Sequence, residues 1–139
     1  MEIGIYNKYD PYKIDEIREV YQSAGWLKHS NEVIAKVFQR SDIVTFAISD
    51  GRIIGVGRAL TDGVFNAAIY DVVVHLEYQK IGIGSLIMSD LLEQLKDVSC
   101  VQLISTTGNE EFYRKHGMKK LKTGMARYLN SSLTGEYLD

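Results

Sequence analysis

Tyr70-Asp71-Val72-Val73-Val74-His75-Leu76-Glu77-Tyr78-Gln79-Lys80-Ile81-Gly82-Ile83-Gly84-Ser85 joins an apolar run to a polar turn and a glycine-bearing segment. The first part is rich in β-branched residues, which suits a strand. Residues 83–96 then place Leu86, Ile87, Leu91 and Leu95 on one helical face. The reading is strand, turn, helix. A helix start presents N–H groups with no intrahelical partner and the positive end of the helix dipole. Glycines there let a phosphate approach the backbone, so the stretch is suited to an anion such as a pyrophosphate. Ser85 can add a hydroxyl. The same glycines also serve a tight turn with no ligand, and residue chemistry alone leaves both readings open.

Outward from this stretch, the rest of the chain supplies a sheet and its covering helices. Glu2–Tyr6 is a short strand candidate. Residues 13–23 set Ile14, Ile17, Val20 and Tyr21 on one helical face, and Gly25 ends that helix. Ser30 can cap a second helix with Glu32 in its first turn. Residues 43–49 and 52–60 are strands joined by Asp50-Gly51, a strong hairpin signal. Gly63 marks a turn before a strand over 67–74. Residues 101–105 form the next strand, 109–116 a short helix closed by Gly117, and 118–121 and 125–129 two late strands. The strand–helix–strand unit over 67–105 predicts a parallel, right-handed crossover beside an antiparallel hairpin. The fold class is therefore α/β (α+β): a mixed sheet with helices on its faces, in a single domain over residues 1–139.

Two other phosphate motifs are absent. A dinucleotide turn needs a third glycine, where Ile87 stands, and an acid about 20 positions on, which Val101-Gln102-Leu103-Ile104 lacks. No G-x-x-x-x-G-K-[ST] loop occurs.

Gln79-Lys80-Ile81-Gly82-Ile83-Gly84 resembles the acetyl-CoA signature [QR]-x-x-G-x-[GA] of the GCN5-related N-acetyltransferase (GNAT) superfamily. Phe112-Tyr113-Arg114-Lys115-His116-Gly117-Met118 resembles its second recurring block, F-Y-x-K-x-G-F. Tyr70 to Val74 and Tyr21-Gln22-Ser23-Ala24-Gly25-Trp26 resemble segments of a subgroup containing arylalkylamine (serotonin-type) acetyltransferases and bacterial relatives. The element order matches along nearly the whole chain. Leu76 stands where the family often has proline, and Lys80-Ile81 where it often has glycine and a basic residue. Thr106 lies seven residues before Tyr113, a place often held by Asn or Asp, while Asn109 lies only four before it.

The resemblance implies a GNAT fold with six to seven strands and about four helices, the strands splayed at the cofactor. It implies acetyl-CoA (coenzyme A) as cofactor and N-acetyl transfer to an amine by direct attack. Cofactor contacts fall on Val72, Val73, Val74, Gln79, Lys80, Ile81, Gly82, Ile83, Gly84, Ser85, Thr106, Asn109, Phe112, Tyr113 and Lys115. A backbone N–H near Val72 would stabilise the oxyanion. Tyr113 matches the general acid that protonates the leaving thiolate. Asp71 is the base or amine-orienting carboxylate; strand alternation sets it opposite Val72, and an ordered water is the other candidate base. Tyr21, Trp26, Phe65 and Tyr70 are candidates for an aromatic acceptor pocket. Two further readings stay open: a peptide or protein acceptor, and a catalytically weak acyl-CoA-binding module.

Composition agrees. The chain has 139 residues, 45% hydrophobic and 24% charged, and a net charge of −2, which points to no nucleic acid or anionic membrane. No leader or membrane-length apolar run is evident. The single cysteine, Cys100, is expected to be a buried small residue, and its isolation suggests a reducing cytoplasm. His29 and His116 lack ligand-like spacing, so no metal is expected, and His75 is expected on a surface turn. The partner implied is a small-molecule amine, and a homodimer is left open.

Overall fold

The computed structural model describes residues 1–139. Five strands form one sheet in the order β1-β2-β3-β4-β5: β1 Gly4–Tyr6, β2 Ile43–Ser49, β3 Arg52–Thr61, β4 Asn66–Val74 and β5 Cys100–Gln102. The first four pair antiparallel and β4–β5 parallel, so the sheet is mixed as expected. The helices are α1 Ile14–Ser23, α2 Asn31–Gln39, α3 Ile83–Gln94, α4 Glu110–Arg114 and α5 Ser131–Tyr137. The chain divides into two compact units, Met1–Ser105 and Thr106–Asp139.

The first unit holds the sheet and its core. Local chemistry sets several of its joints. Asp50 (φ 50°) and Gly51 (φ 75°) make the left-handed pair that a two-residue hairpin needs. Ser30 Oγ caps α2 by accepting from Val33 N–H at 3.3 Å. α1 ends in a Schellman motif: Trp26 N–H donates to Tyr21 O at 2.9 Å and Gly25 N–H to Gln22 O at 3.0 Å, with Gly25 at φ 90°.

On one face of the sheet, Ile17, Val20 and Tyr21 of α1 and Ile34 and Phe38 of α2 are buried with Val44, Phe46, Val56 and Val73. On the other, α3 lies over β3 through Ile83, Ile87, Met88 and Leu91, all buried. Two glycines of β3 admit it. A Cβ built on Gly57 would stand 2.6 Å from Ile87 Cγ2 and 2.9 Å from Leu91 Cδ1, and one on Gly55 would stand 2.7 Å from Ile87 Cδ1. A polar knot fixes the same helix: Asp90 Oδ2 accepts from Thr45 Oγ1 at 2.7 Å and from Asn7 Nδ2 at 2.7 Å.

Several expectations are corrected. The two late strands do not form, so the sheet has five strands rather than six or seven, and there are five helices rather than about four. Residues 119–127 are all exposed and include Lys119, Lys120 and Lys122, so no apolar side drives that stretch onto a sheet. Helix α5 was not anticipated; Asn130 caps it by accepting from Ser132 N–H. Cys100 is exposed because it starts β5, the short last strand of the sheet. His75 is buried, 5% exposed, because His75 N–H donates to Ile54 O and draws the residue against the hairpin.

Gly57→Ala should lower stability by about 1–3 kcal/mol, the usual cost of overpacking a filled core. Urea unfolding measures it. Adding Ile87→Ala should recover part of the loss, and a Gly57→Ala chain as stable as wild type would contradict the close seat of α3.

Candidate active site

β4 continues past its neighbour. Its parallel pairing with β5 covers only Asn66↔Cys100, Ala67↔Val101 and Ala68↔Gln102, so no strand pairs with β4 on that side from Ile69 to Val74. The backbone edge there is open, and it includes Val72, Val73 and Val74.

The same strand carries a bulge. Val56 pairs with Val73 and Arg58 with Tyr70, so Gly57 of β3 faces both Asp71 and Val72 of β4. The extra residue breaks the alternation. Tyr70 and Asp71 therefore fall on the face covered by α1 and α2, where plain alternation would have separated them. Asp71 has φ 57°, in the left-handed region. Its Oδ2 accepts from Arg58 Nε at 2.7 Å and from Tyr21 Oη at 3.2 Å. The ion pair is largely enclosed, with Arg58 and Asp71 side chains 16% and 11% exposed.

Beyond β4, the chain turns through Leu76–Tyr78 into α3. Gln79 Nε2 donates back to Val74 O at 2.9 Å and ties the turn to the strand. Leu76 N–H donates to Ser23 Oγ at 3.0 Å, which anchors the turn to α1. Lys80 and Gly82 take φ 67° and 93°. Gly82 is the residue before α3, and no side chain caps that helix start. A Cβ on Gly82 would meet nothing within 4 Å, so the space before the helix is open. Lys80, Ile81, Gly82 and Ser85 are exposed, Gly84 is half-buried, and Ile83 is core. An anion is favoured here by the helix dipole and the charge of Lys80.

Next to Asp71 lies an aromatic group. Tyr21 stacks on His29 with ring centroids 4.3 Å apart and touches Trp26 at 5.7 Å. Arg58 lies 5.1 Å over the Tyr70 ring. Tyr21, Trp26 and Tyr70 are thus gathered around the Arg58–Asp71 pair. Phe65 is not: it stands in the loop before β4, 66% exposed, five residues or roughly 16 Å along the strand from Tyr70. Burial next to Asp71 pushes the Tyr21 phenol well above its ordinary value. Burial lowers the His29 pKa, with Arg58 acting in the same direction and Asp71 opposing.

The second unit carries the other block. In α4, Phe112 and Tyr113 meet edge-on at 5.0 Å, and Gly117 at φ 84° turns the chain after Lys115 and His116. Asn109 Nδ2 donates to Thr106 Oγ1 at 2.5 Å. Tyr113 is half-buried, and desolvation raises its phenol above 10.0, so it is protonated at neutral pH. Lys115 is exposed. No cluster of three or more His, Cys, Asp or Glu is arranged to hold a metal, and no helix is long and apolar enough to cross a membrane.

Sequence reading missed Arg58, the bulge and His29. Arg58 had a signal: it is the one charge between Ile53 and Leu60 in an apolar strand, and such a charge needs a partner on the next strand.

The family model described as Acetyltransferase (GNAT) family matches residues 6–118. The chain is 33% identical over 116 residues to an uncharacterised N-acetyltransferase, ycf52, of Porphyra purpurea, covering 79% of this chain and 67% of that one. It is 32% identical over 110 residues to serotonin N-acetyltransferase 2, chloroplastic, of Oryza sativa subsp. japonica, covering 75% of this chain and 55% of that one. A solved structure of a GNAT-family acetyltransferase from Streptococcus pneumoniae superposes with TM-score 0.79 at 28% identity, covering 93% and 98% of the two chains. The chain belongs to the GNAT acetyltransferase family. It is an acyltransferase on that fold.

The neutral His29 has a pH consequence. Its folded pKa lies below the ordinary 6.5, so the unfolded chain binds more protons as pH falls past 6.5, and stability falls with it. Urea unfolding at pH 7.5 and 5.5 should show a larger loss for wild type than for His29→Phe. Equal losses would contradict this.

Proposed function

We propose that the chain transfers the acetyl group of acetyl-CoA to the primary amine of a small molecule by direct attack. The observation that carries this is one strand–turn–helix with two openings, the unpaired β4 edge at Val72–Val74 and the uncapped start of α3 at Gly82. These suit the two ends of one elongated ligand, amides along the strand edge and phosphates at the helix. Exposed Ile81 and Leu86 add apolar surface beside them. Bound acetyl-CoA supplies an acyl thioester open to attack by an amine.

The chain's own groups have distinct roles in this reading. The backbone of Val72, Val73 and Val74 holds the pantetheine amides, and an N–H near Val72 stabilises negative charge on the carbonyl oxygen. Gln79, Lys80, Ile81, Gly82, Ile83, Gly84 and Ser85 hold the pyrophosphate. Thr106, Asn109, Phe112 and Lys115 complete the cofactor side. Tyr113 gives its proton to the departing thiolate; its raised pKa keeps that proton available. Asp71 orients the amine, and Asp71 or an ordered water beside it takes the proton the amine loses as the C–N bond forms and the C–S bond breaks. Both of its hydrogen bonds fall on Oδ2, and the amine takes Oδ1. Tyr21, Trp26 and Tyr70 form the aromatic wall, an arrangement in keeping with the rice relative named for serotonin. The single cysteine is in keeping with a cytoplasmic setting.

A panel of 2-phenylethylamine, tryptamine, 1,4-diaminobutane and a lysine peptide, with free-thiol detection, tests the acceptor. Amine-dependent thiol release is expected from a small amine. Turnover of the peptide alone would move the acceptor to proteins, and tight acetyl-CoA binding with no turnover would leave only a binding module.

Tyr113→Phe should cut kcat by about 100-fold, the scale of general acid catalysis, while calorimetry finds acetyl-CoA binding retained; unchanged kcat would remove Tyr113 as the acid. Gly82→Trp should abolish acetyl-CoA binding, because it fills the approach to the helix and strains a left-handed position. Normal binding would relocate the cofactor.

A further inference from the structure

Asp71 occupies a position its backbone does not favour. A bulge whose first residue is left-handed is normally built with glycine. A left-handed aspartate is tolerated but strained. Its partner across the bulge is a glycine, Gly57, so crowding from the facing residue does not explain the aspartate. What the side chain adds is a carboxylate, and that carboxylate is committed to Arg58 Nε at 2.7 Å and Tyr21 Oη at 3.2 Å. Arg58 is held in turn. Its guanidinium lies over Tyr70 at 5.1 Å, and Nη1 reaches Ser41 Oγ at 3.5 Å.

Strand β3 brings Arg58 there. Gly57 and Ala59 face α3, so Arg58 faces α1 and the α2 end, on the side that Tyr70 and Asp71 share. The pair bridges β3 to the one-residue excess of β4, where the register offers no regular ladder pairing to Asp71 and Val72. A short, largely enclosed ion pair at that point does what the missing ladder cannot: it fixes the bulge.

We propose that Arg58 is a positioning residue which acts through Asp71, locking the bulge so that Oδ1 faces the acceptor amine and Val72 keeps its place on the open strand edge. This rests on the assignment of β4 to the acyl-transfer site. Nothing in this role requires Arg58 to touch the cofactor.

A double-mutant cycle tests the coupling, with 2-phenylethylamine as acceptor. Arg58→Met should lower kcat/KM for the amine by about tenfold or more in the wild-type chain and by less than about twofold in an Asp71→Asn background. Arg58→Lys should recover part of the loss, and acetyl-CoA affinity by calorimetry should fall by less than kcat/KM for the amine does, because the Gln79–Ser85 turn is anchored elsewhere. Equal losses in both backgrounds would overturn the proposal.

Asp71→Gly provides a variant that folds without backbone strain. It should be about tenfold or more slower with the amine and indifferent to Arg58→Met. Wild-type activity in Asp71→Gly would show that the carboxylate serves only the backbone and overturn the role of Arg58.

Amide hydrogen exchange needs no acceptor and so separates this proposal from the acyltransfer reading. Arg58→Met should speed exchange at Val73, which pairs with Val56 next to the bulge, relative to Ile69. Unchanged exchange would overturn the lock even if every amine were turned over.

Discussion

Two residues of β4, Asp71 and Val72, stand against one residue of β3, Gly57, and much of the site follows from that mismatch. The extra residue turns Tyr70 and Asp71 onto one face of the sheet. Past it, Val73 returns to register against Val56 and joins the core below α1. The strand thus changes which face it shows in the middle of its length. Its first half pairs with β5, while its second half runs on with an open edge toward the turn at Gln79.

The bulge is affordable because its surroundings are fixed independently. α3 sits on β3 with no room to spare, since Gly55 and Gly57 meet Ile87 and Leu91 directly. On the opposite face, Tyr21 is completely buried in α1, stacked on His29 and in tilted contact with Trp26, so its hydroxyl meets Asp71 from a fixed position. Ser23 at the end of the same helix holds Leu76. One helix therefore holds β4 at Asp71 and the following turn at Leu76, on either side of Val72–Val74. A strained φ at Asp71 persists where several contacts over-determine it.

The antiparallel hairpin and the turn into α3 were legible because they rest on short-range chemistry: Asp50-Gly51, Ser30, Gly25 and the spacing of Gly82 and Gly84 each act within a few residues. The bulge was not legible. Period-two alternation presumes one residue per rung, and no local signal in Tyr70-Asp71-Val72 announces a second. Arg58 and Asp71 lie 13 residues apart, and only the register of β3 on β4 makes them partners. The late strands failed for the opposite reason: short apolar pairs among lysines imitate a strand, yet none of residues 106–139 is buried. His75 was misjudged because its burial depends on a long-range bond to Ile54.

This difference also explains why the two ends of the site are unequally written in the sequence. A phosphate is held by backbone amides and a helix dipole, so the requirement falls on glycines at fixed spacing, which a linear pattern preserves. In the proposed reading, an amine acceptor is held by side chains converging from α1, the turn after it and β4, here Tyr21, Trp26, Tyr70 and Asp71, with Arg58 of β3 behind Asp71, and their separations along the chain reflect only the connections between elements. In that reading, acceptor specificity resides in pairings across strands. The Arg58–Asp71 pair is one of these: it neutralises a carboxylate at the mouth of the bulge while leaving that carboxylate able to accept a hydrogen bond at Oδ1. On the proposed reading, such a site selects its amine by the direction of that hydrogen bond and by aromatic contact more than by bulk charge, which accords with a chain whose net charge is only −2.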